Sequence, residues 1–557
     1  ILNIHVQVAL LLAGGALLVM GVGGARRSDL HTLRTWIAAN RREILLVLAI
    51  MTVALAIRAY RIEDTVRAFI DEGPFVNAVA VMRENPAVPL AAPIHPTNSF
   101  TRLFTYMQMI LSDVFGSSLG MFRFASAICG ALTAGALYGL ARMLFDRRTA
   151  FIAAILLAVL PPHIHLSRSG INNIVDPLFG VLALSFFARG VQTRSRLDYA
   201  LAGFMLGLLP YFYEGGELLF PPLVLLWALL LALGRGPRPS LRGVGWMLLV
   251  ALGLALPVYY TNLSYDLPVF TRLNDASAGR DYLLAVLIAP NGFEHLGTFL
   301  SQRLLPPLLH YVHSPDTSLF YGGETALLLP WLVPLFLLGL FHALRHTSSA
   351  LLTVWVLVTA LGNSLILYPD WTARFVVAMP AVTLLCAVGL RYTLPLLGWR
   401  VLRRGSITRG FLVAAAVAQL AYYFGPHLTY YNRQIIDLRR HYDVAFRTLD
   451  LPAGTSVYFD YDDPIQVPFT YSFIKYLNAP YTFHSVRVKD LDLASLARDR
   501  RYAFFVRAGD NATLDKMSKV WYLDGPHFSP DGPPDQFALY IVTPWLWREG
   551  AEPAPVR

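Results

Sequence analysis

Residues 41–64 read RREILLVLAIMTVALAIRAYRIED, and the class of fold follows from them. The apolar run Ile44–Ile57 has Arg41 and Arg42 before it and, after Arg58, the mixed-charge series Arg61, Glu63 and Asp64. A run of this kind belongs in hydrocarbon, and its flanks differ as the two sides of a membrane differ. Outward from it the same grammar repeats. Apolar segments fall at Val6–Val22, Phe122–Leu144, Ala150–Leu160, Ile174–Phe187, Leu201–Leu209, Leu218–Leu233, Val244–Tyr260, Ala326–Leu344, Leu351–Leu367, Phe375–Leu390 and Phe411–Phe424. With Ile44–Ile57 they give about twelve expected spans. In the 557 residues, 55% are apolar and 15% charged, with a mean hydropathy of +0.49. Lipid is the solvent for most of this chain.

Charge placement gives the expected orientation. Every second loop is basic: 5 arginines at Arg26, Arg27, Arg34, Arg41 and Arg42; 3 each at Arg142–Arg148, Arg189–Arg196 and Arg235–Arg242; Arg345; and 5 more from Arg391 to Arg409. Those 20 arginines face only Asp29, Glu43, Asp146 and Asp198, a net +16 in a chain of net +10, so the remainder is net −6. Lys and Arg resist translocation, so the basic loops are read as cytoplasmic and the others as extracytoplasmic, in the inner (plasma) membrane. The high pI therefore reports topology, and no nucleic-acid partner is expected. Val6–Val22 has its arginine pair after it, and is read as an anchor with its N-terminus outside. Cys129 and Cys386 both lie within apolar segments, so neither a disulfide framework nor a thiolate metal site is expected.

Three outward stretches exceed plain connectors: 61–119, 261–324, and everything after Gly425. The tail holds all four lysines, Lys475, Lys489, Lys516 and Lys519, and this shift of composition sets an expected boundary between a membrane domain, 1–427, and an outward domain, 428–557. Strands are expected at Thr455–Tyr461, Tyr481–Val486, Tyr502–Val506 and Phe537–Val542, and helices near Ile465–Leu477, Leu491–Arg498 and Ala512–Met517. Such alternation gives a small α/β domain with a parallel or mixed sheet. No glycine-rich phosphate loop opens any of its helices.

The first outward loop carries Phe69-Ile70-Asp71-Glu72-Gly73-Pro74, a carboxylate pair just beyond the Ile44–Ile57 span. A carboxylate partly desolvated at an interface suits general-base work, though a solvated helix cap is the plainer reading. After it come His95-Pro96-Thr97-Asn98, Phe122-Arg123-Phe124, Pro161-Pro162, Leu166-Ser167-Arg168-Ser169-Gly170, Asp176-Pro177-Leu178, Pro210-Tyr211-Phe212-Tyr213 and Thr372-Ala373-Arg374-Phe375 with Pro380. In order and placement this succession, from Arg58 to Leu390, resembles the dolichyl-phosphate-mannose–protein mannosyltransferases and their bacterial relatives, the lipid A aminoarabinose transferases, of the GT-C glycosyltransferase class. The chain departs from the pattern at His95-Pro96-Thr97, where relatives often have His-Pro-Pro, and at Glu217, where they have an arginine.

The resemblance implies an all-α polytopic GT-C-like membrane domain with a C-terminal extracytoplasmic α/β domain. It also implies inverting transfer of a sugar from a polyprenyl-phosphate carrier to a protein, lipid or glycan acceptor. In that chemistry Asp71 is the general base and Glu72 orients it. The leaving phosphate is already anionic and needs cations more than protons, a role for Arg168, Arg374 and, in the first loop, Arg102. For each arginine the plain alternative is an interfacial anchor. His95, Asp176, Tyr211, Tyr213, Glu214 and Glu217 are substrate-pocket candidates; for Asp176 the alternative is a pair with Arg168, because an ionisable group at a span mouth is costly alone. No His or carboxylate cluster has divalent-metal spacing, so neither a metal nor another cofactor is expected beyond the lipid-linked sugar. The competing classes are a non-catalytic membrane subunit or scaffold, with a partner in a membrane complex, and a transporter, which would show broken helices in two repeated halves.

The orientation is checked by cysteines introduced beside Asp71, Asn274, Asp460 and Arg403. The first three are expected to react with an impermeant reagent in intact cells and the fourth to stay unlabelled. Labelling beside Arg403 reverses the topology.

Overall fold

The computed structural model describes residues 2–24, 34–95, 100–234, 237–276, 292–316, 318–346, 349–393, 405–435, 438–461, 466–477, 482–530 and 532–548. Of the residues singled out above, Arg26, Arg27, Asp29, Pro96, Thr97, Asn98, Arg235, Arg400, Arg403 and Arg404 lie outside these, as do Ile465 and Tyr481 at the ends of two expected elements. The chain forms two compact units: Ile1–Val66 with Pro86–Leu111 and Leu119–Gln434, and Arg67–Asn85 with Ser112–Ser118 and Ile435–Arg557.

The first unit is helical. Among the described residues seven helices are long and apolar enough to cross a membrane: Ile4–Gly23, Leu119–Leu144, Asn172–Thr193, Glu214–Leu233, Leu241–Ser264, Thr372–Tyr392 and Ser406–Gln434. The bent pair Val333–Arg345 and Ala350–Ser364 makes up to eight. That is fewer than the expected twelve, for local reasons. The run at Ala150–Leu160 lies in a 12-residue helix, Arg147–Ala158, and that at Leu201–Leu209 in a 13-residue helix, Arg196–Leu208. At 1.5 Å per residue such helices reach about 20 Å, short of the roughly 30 Å of hydrocarbon. Ile44–Ile57 is helical within the 19-residue Arg41–Ala59, which is long enough to cross; its charged ends, Arg41, Arg42, Glu43 and Arg58, keep it out of that count.

Burial sorts the helices by environment. Thr372–Tyr392 is the core, with 94% of its apolar window buried, whereas Ile4–Gly23 is only 22% buried. Leu10, Leu12 and Leu17 on the latter, and Leu249, Leu252 and Leu256 on Leu241–Ser264, are exposed. Apolar faces of this extent are stable only against lipid. Where lipid gives helices no hydrophobic reason to associate, close backbone approach does so. A Cβ on Gly339 would fall 1.9 Å from the Leu385 carbonyl oxygen, and one on Gly389 2.0 Å from that of Leu335, so the helix Val333–Arg345 meets Thr372–Tyr392 at two reciprocal glycines.

The second unit is built on a five-stranded sheet. Its strands are β1 (Ser456–Phe459), β2 (Thr482–Ser485), β3 (Tyr502–Val506), β4 (Asp524–His527) and β5 (Ala538–Val542), in spatial order β2-β1-β3-β5-β4. β1 is parallel to β2 and β3, while β5 is antiparallel to β3 and β4, so the sheet is mixed. Alternate residues feed two cores: Tyr458, Phe504, Val506 and Tyr540 pack with Trp521 on one face, and Val457, Phe459, Phe505 and Leu539 pack with Phe537 on the other. Both faces being covered, β3 reads as a continuous apolar run. The helices Gln466–Tyr476 and Asn511–Ser518 form as expected. Two features differ. The helix expected near Leu491–Arg498 is only the single 3-10 turn Leu493–Ser495, and β4, sequence Asp-Gly-Pro-His, is exposed throughout. An edge strand without apolar alternation leaves no sequence signal.

This unit also takes in part of the long stretch 61–119. The helix Glu72–Glu84 buries Phe75, Val76, Val79 and Met82, and Gly73 would place a Cβ 3.4 Å from Phe469 of the helix Gln466–Tyr476. Arg83 donates to the Tyr476 carbonyl and forms a 2.6 Å ion pair with Asp113, the Tyr476 hydroxyl donates to Ser118 O at 3.0 Å, and Lys475 meets Glu84 at 3.1 Å.

Gly339→Leu is expected to force the two helices apart and lower stability by about 1–3 kcal/mol, the usual cost of overpacking. The readout is the thermal midpoint of the purified protein in detergent. Gly362→Leu, which meets nothing within 4 Å, is the control and leaves the midpoint unchanged.

Candidate active site

In the second unit the carboxylate pair divides its labour by burial. Glu72 is wholly buried, and its Oε2 accepts from Phe69 N at 3.0 Å. The backbone turns back on itself there, Glu72 N donating to Phe69 O and Gly73 N to Ile70 O, both at 3.0 Å. Glu72 thus fixes the turn that presents its neighbour. Asp71 stands at the N-cap of the helix Glu72–Glu84, makes no side-chain capping bond to it, and is partly exposed. Of the two carboxylates, Asp71 is the more exposed.

In the first unit Arg168 is fully buried. Its guanidinium donates to Ile57 O at 3.2 Å, Arg58 O at 2.9 Å, Arg61 O at 3.1 Å and the Thr65 hydroxyl, with its face over Phe424. Ile57 and Arg58 carry carbonyls left open where the helix Arg41–Ala59 ends, and Arg61 lies in the turn after it, so Arg168 closes that helix and ties down the start of the following loop. Arg58 and Arg123, which sequence reasoning passed over, act alike. Arg58 donates to Ala54 O, Ala158 O and Ser167 Oγ and meets His163 Nδ1 at 2.8 Å; Arg123 donates to Ile62 O and Val66 O. Arginines at span ends were the available signal for both.

Asp176 does not pair with Arg168. Its carboxylate accepts from Gly216 N at 2.6 Å and Tyr213 N at 3.3 Å, capping the helix Glu214–Leu233. Glu214, on the first turn of that helix, accepts from Leu273 N at 2.8 Å, and Glu217 accepts from the Tyr259 hydroxyl. The Tyr211 hydroxyl donates to Leu254 O at 3.2 Å in the interior, while Tyr213 is half-buried against Phe100. Arg102 is half-buried and holds the loop before it, donating to Ala92 O at 2.8 Å and Pro89 O at 3.3 Å; His95 follows on that loop, exposed.

Arg374 is half-buried at the start of the span Thr372–Tyr392. It donates to Leu367 O and Tyr368 O and lies over the Trp371 ring, which stacks on Tyr368 at 4.8 Å and 8°. Arg303 reaches the same turn, donating to Ile366 O at 3.1 Å. Tyr368 holds φ +54°, a conformation non-glycine residues rarely adopt. Two cations and an aromatic pair thus converge on residues 366–371.

Asp316 fixes the root of that span. Its carboxylate accepts from Ser318 N, Ser318 Oγ, Gly322 N and Thr372 N at 2.7–3.3 Å, and His310 Nε2 meets Thr372 Oγ1 at 3.0 Å. Burial pushes the Asp316 carboxyl above the usual carboxylate range against these donors, and brings the His310 imidazole down to about 4. Sequence reasoning missed both residues; Asp316 with Ser318 two residues on was a turn signal. Among the described residues no three His, Cys, Asp or Glu side chains come together as a metal-holding group.

Residues 99–265 match the family model described as dolichyl-phosphate-mannose-protein mannosyltransferase. No curated protein matches the sequence. Among solved structures, ArnT from Cupriavidus metallidurans in the apo state is similar over 90% of this chain and 98% of that one, at 14% identity and a TM-score of 0.54. The same protein bound to undecaprenyl phosphate gives 13% identity and a TM-score of 0.52 at the same coverage. At these identities the likeness is one of fold.

Asp316→Asn tests the root of the Arg374 span. A group whose folded-state pKa is raised binds its proton more tightly folded than unfolded, so its stabilising contribution is full below the ordinary carboxylate range and is lost as pH rises through the folded value. The wild-type midpoint, relative to Asp316→Asn, is expected to fall on going from acid to neutral pH. A difference independent of pH overturns the assignment.

Proposed function

We propose that this chain, a multi-pass membrane glycosyltransferase of the GT-C class, moves a sugar from a polyprenyl-phosphate carrier to an extracytoplasmic acceptor with inversion at the anomeric carbon. The observation that carries the reading is the likeness of fold, over nearly the whole of ArnT, to a structure bound to undecaprenyl phosphate, together with the mannosyltransferase match at 99–265.

In the proposed step the acceptor oxygen attacks the anomeric carbon as its bond to the carrier phosphate breaks, the bonding pair leaving with the phosphate. Asp71 takes the acceptor proton, and Glu72 keeps the turn Phe69–Asp71 in place to present it. The departing phosphate gains charge, and Arg374 meets it as a guanidinium fork. Tyr368 and Trp371 offer a stacked aromatic surface suited to a sugar face. Arg168 and Arg102 serve by positioning, Arg168 at the start of the first loop and Arg102 through Pro89 and Ala92 within it. His95, Tyr213 and Glu217, exposed or half-buried, are the remaining candidates for sugar or acceptor contacts. Asp176, Tyr211 and Glu214 are buried and serve as supports.

Asp71→Asn keeps size and hydrogen bonding but removes the proton acceptor. Transfer of labelled sugar from polyprenyl phosphate by the purified protein is expected to fall about 10²–10⁴-fold, with thermal unfolding unchanged. Glu72→Gln, which can still accept from Phe69 N, loses less; Arg374→Ala raises the donor concentration needed for half-maximal rate and lowers the rate. Wild-type transfer by Asp71→Asn removes Asp71 from the mechanism. No transfer by the wild type across plausible donors favours the non-catalytic subunit.

A further inference from the structure

A polar cavity of about 320 Å³ lies in the first unit, lined by Ala38, Ala39, Asn40, Arg41, Arg42, Glu43 and Arg147. It opens at the start of the 19-residue helix Arg41–Ala59, whose other end leads into the first outward loop. At 1.5 Å per residue the two ends are about 28 Å apart, close to one hydrocarbon thickness. The cavity is therefore at the opposite membrane surface from that loop, on the side where the basic loops gather.

Its charge is one-sided. Arg41, Arg42 and Arg147 face one carboxylate, Glu43, and that carboxylate is engaged by the Tyr138 hydroxyl at 2.7 Å and Arg142 Nε at 3.1 Å. Arg41 and Arg42 are exposed and make no ion pair with a carboxylate among the described residues. The surroundings are those of a lipid surface. Trp36 and Ile37, just before the cavity, are 56% and 45% exposed, and Leu45 and Leu48, on the first turns of the helix, are 63% and 48% exposed. A tryptophan at a span entrance sits at headgroup level, and the leucines beyond it face acyl chains.

We propose that this cavity binds the headgroup of an anionic phospholipid, its phosphodiester held between Arg41, Arg42 and Arg147 and its chains along the Leu45–Leu48 face. The ligand chemistry is a phosphate anion, and the flanking exposed apolar residues assign its source to the bilayer. The site is independent of the transfer reaction: none of its residues belongs to the machinery described above, and it takes lipid on the far side of the membrane.

The experiment titrates the full-length protein in detergent with short-chain phosphatidylglycerol, short-chain phosphatidylcholine or inorganic phosphate, and follows the thermal midpoint. Phosphatidylglycerol is expected to raise the midpoint at concentrations where the other two do not. Each of Arg41→Gln, Arg42→Gln and Arg147→Gln is expected to raise the half-saturating concentration about fivefold, and the triple variant about 100-fold. Arg345→Gln, in another basic loop, leaves it unchanged. An equal response to both lipids, wild-type half-saturation in the three single variants, or an equal loss in Arg345→Gln overturns the proposal. A matching shift with inorganic phosphate overturns the lipid source.

Discussion

Hydrocarbon offers no hydrogen bonds, so a helix end buried away from water must find its partners within the protein. The first unit meets this with charged side chains, sorted by sign. Guanidinium groups take carbonyls at helix ends and turns: Arg168 on Ile57 and Arg58, Arg58 on Ala158, and Arg374 on Leu367 and Tyr368. Carboxylates take the N–H ends: Asp176 on Gly216, Asp316 on Thr372, Glu214 on Leu273. Each such bond to a charged group contributes about 1.5–3 kcal/mol, and leaving its buried partner unmade costs a similar amount. The signs match the partial charges of the helix termini they meet.

That constraint explains why the motif residues at span ends have two readings. An arginine before a span is at the right depth for a lipid phosphate and also at the right depth for a helix terminus. Arg168 is spent on the second role, because its planar fork spans four oxygens at once. Arg374 donates to the 367 and 368 carbonyls, is half-buried, and shares its turn with Arg303 and the Tyr368–Trp371 stack. The chemistry proposed for the chain therefore rests on Arg374, which the fold leaves half-buried where Arg168 is enclosed.

The same economy appears in the carboxylate pair. Glu72 is folded inward to hold Phe69 N, and Asp71 is turned outward by that bond. Their helix has its apolar face, Phe75 to Met82, buried in the unit that contains the sheet. Residues nearly 400 positions apart in the chain, Arg83 and Tyr476 among them, thus share one core. A change in the helix Gln466–Tyr476 would be felt at Asp71 without touching it.

Much of this was legible in the sequence. Apolar runs, alternate basic loops, the β-rich tail and the order of Asp71, His95, Arg168 and Arg374 are local patterns, and local patterns survive without coordinates because hydropathy, turn chemistry and charge act residue by residue. Four strands and two helices of the tail were readable for that reason, and β4 was not, since its four residues are all exposed. What only the tertiary structure decided is which groups each charge meets. Nothing in the sequence separates an Asp176 that caps Gly216 from one that pairs with Arg168, or brings Asp316 to Thr372. Hydrogen bonds depend on distances of a few tenths of an ångström between residues far apart in the chain, and those distances exist only once the helices have packed.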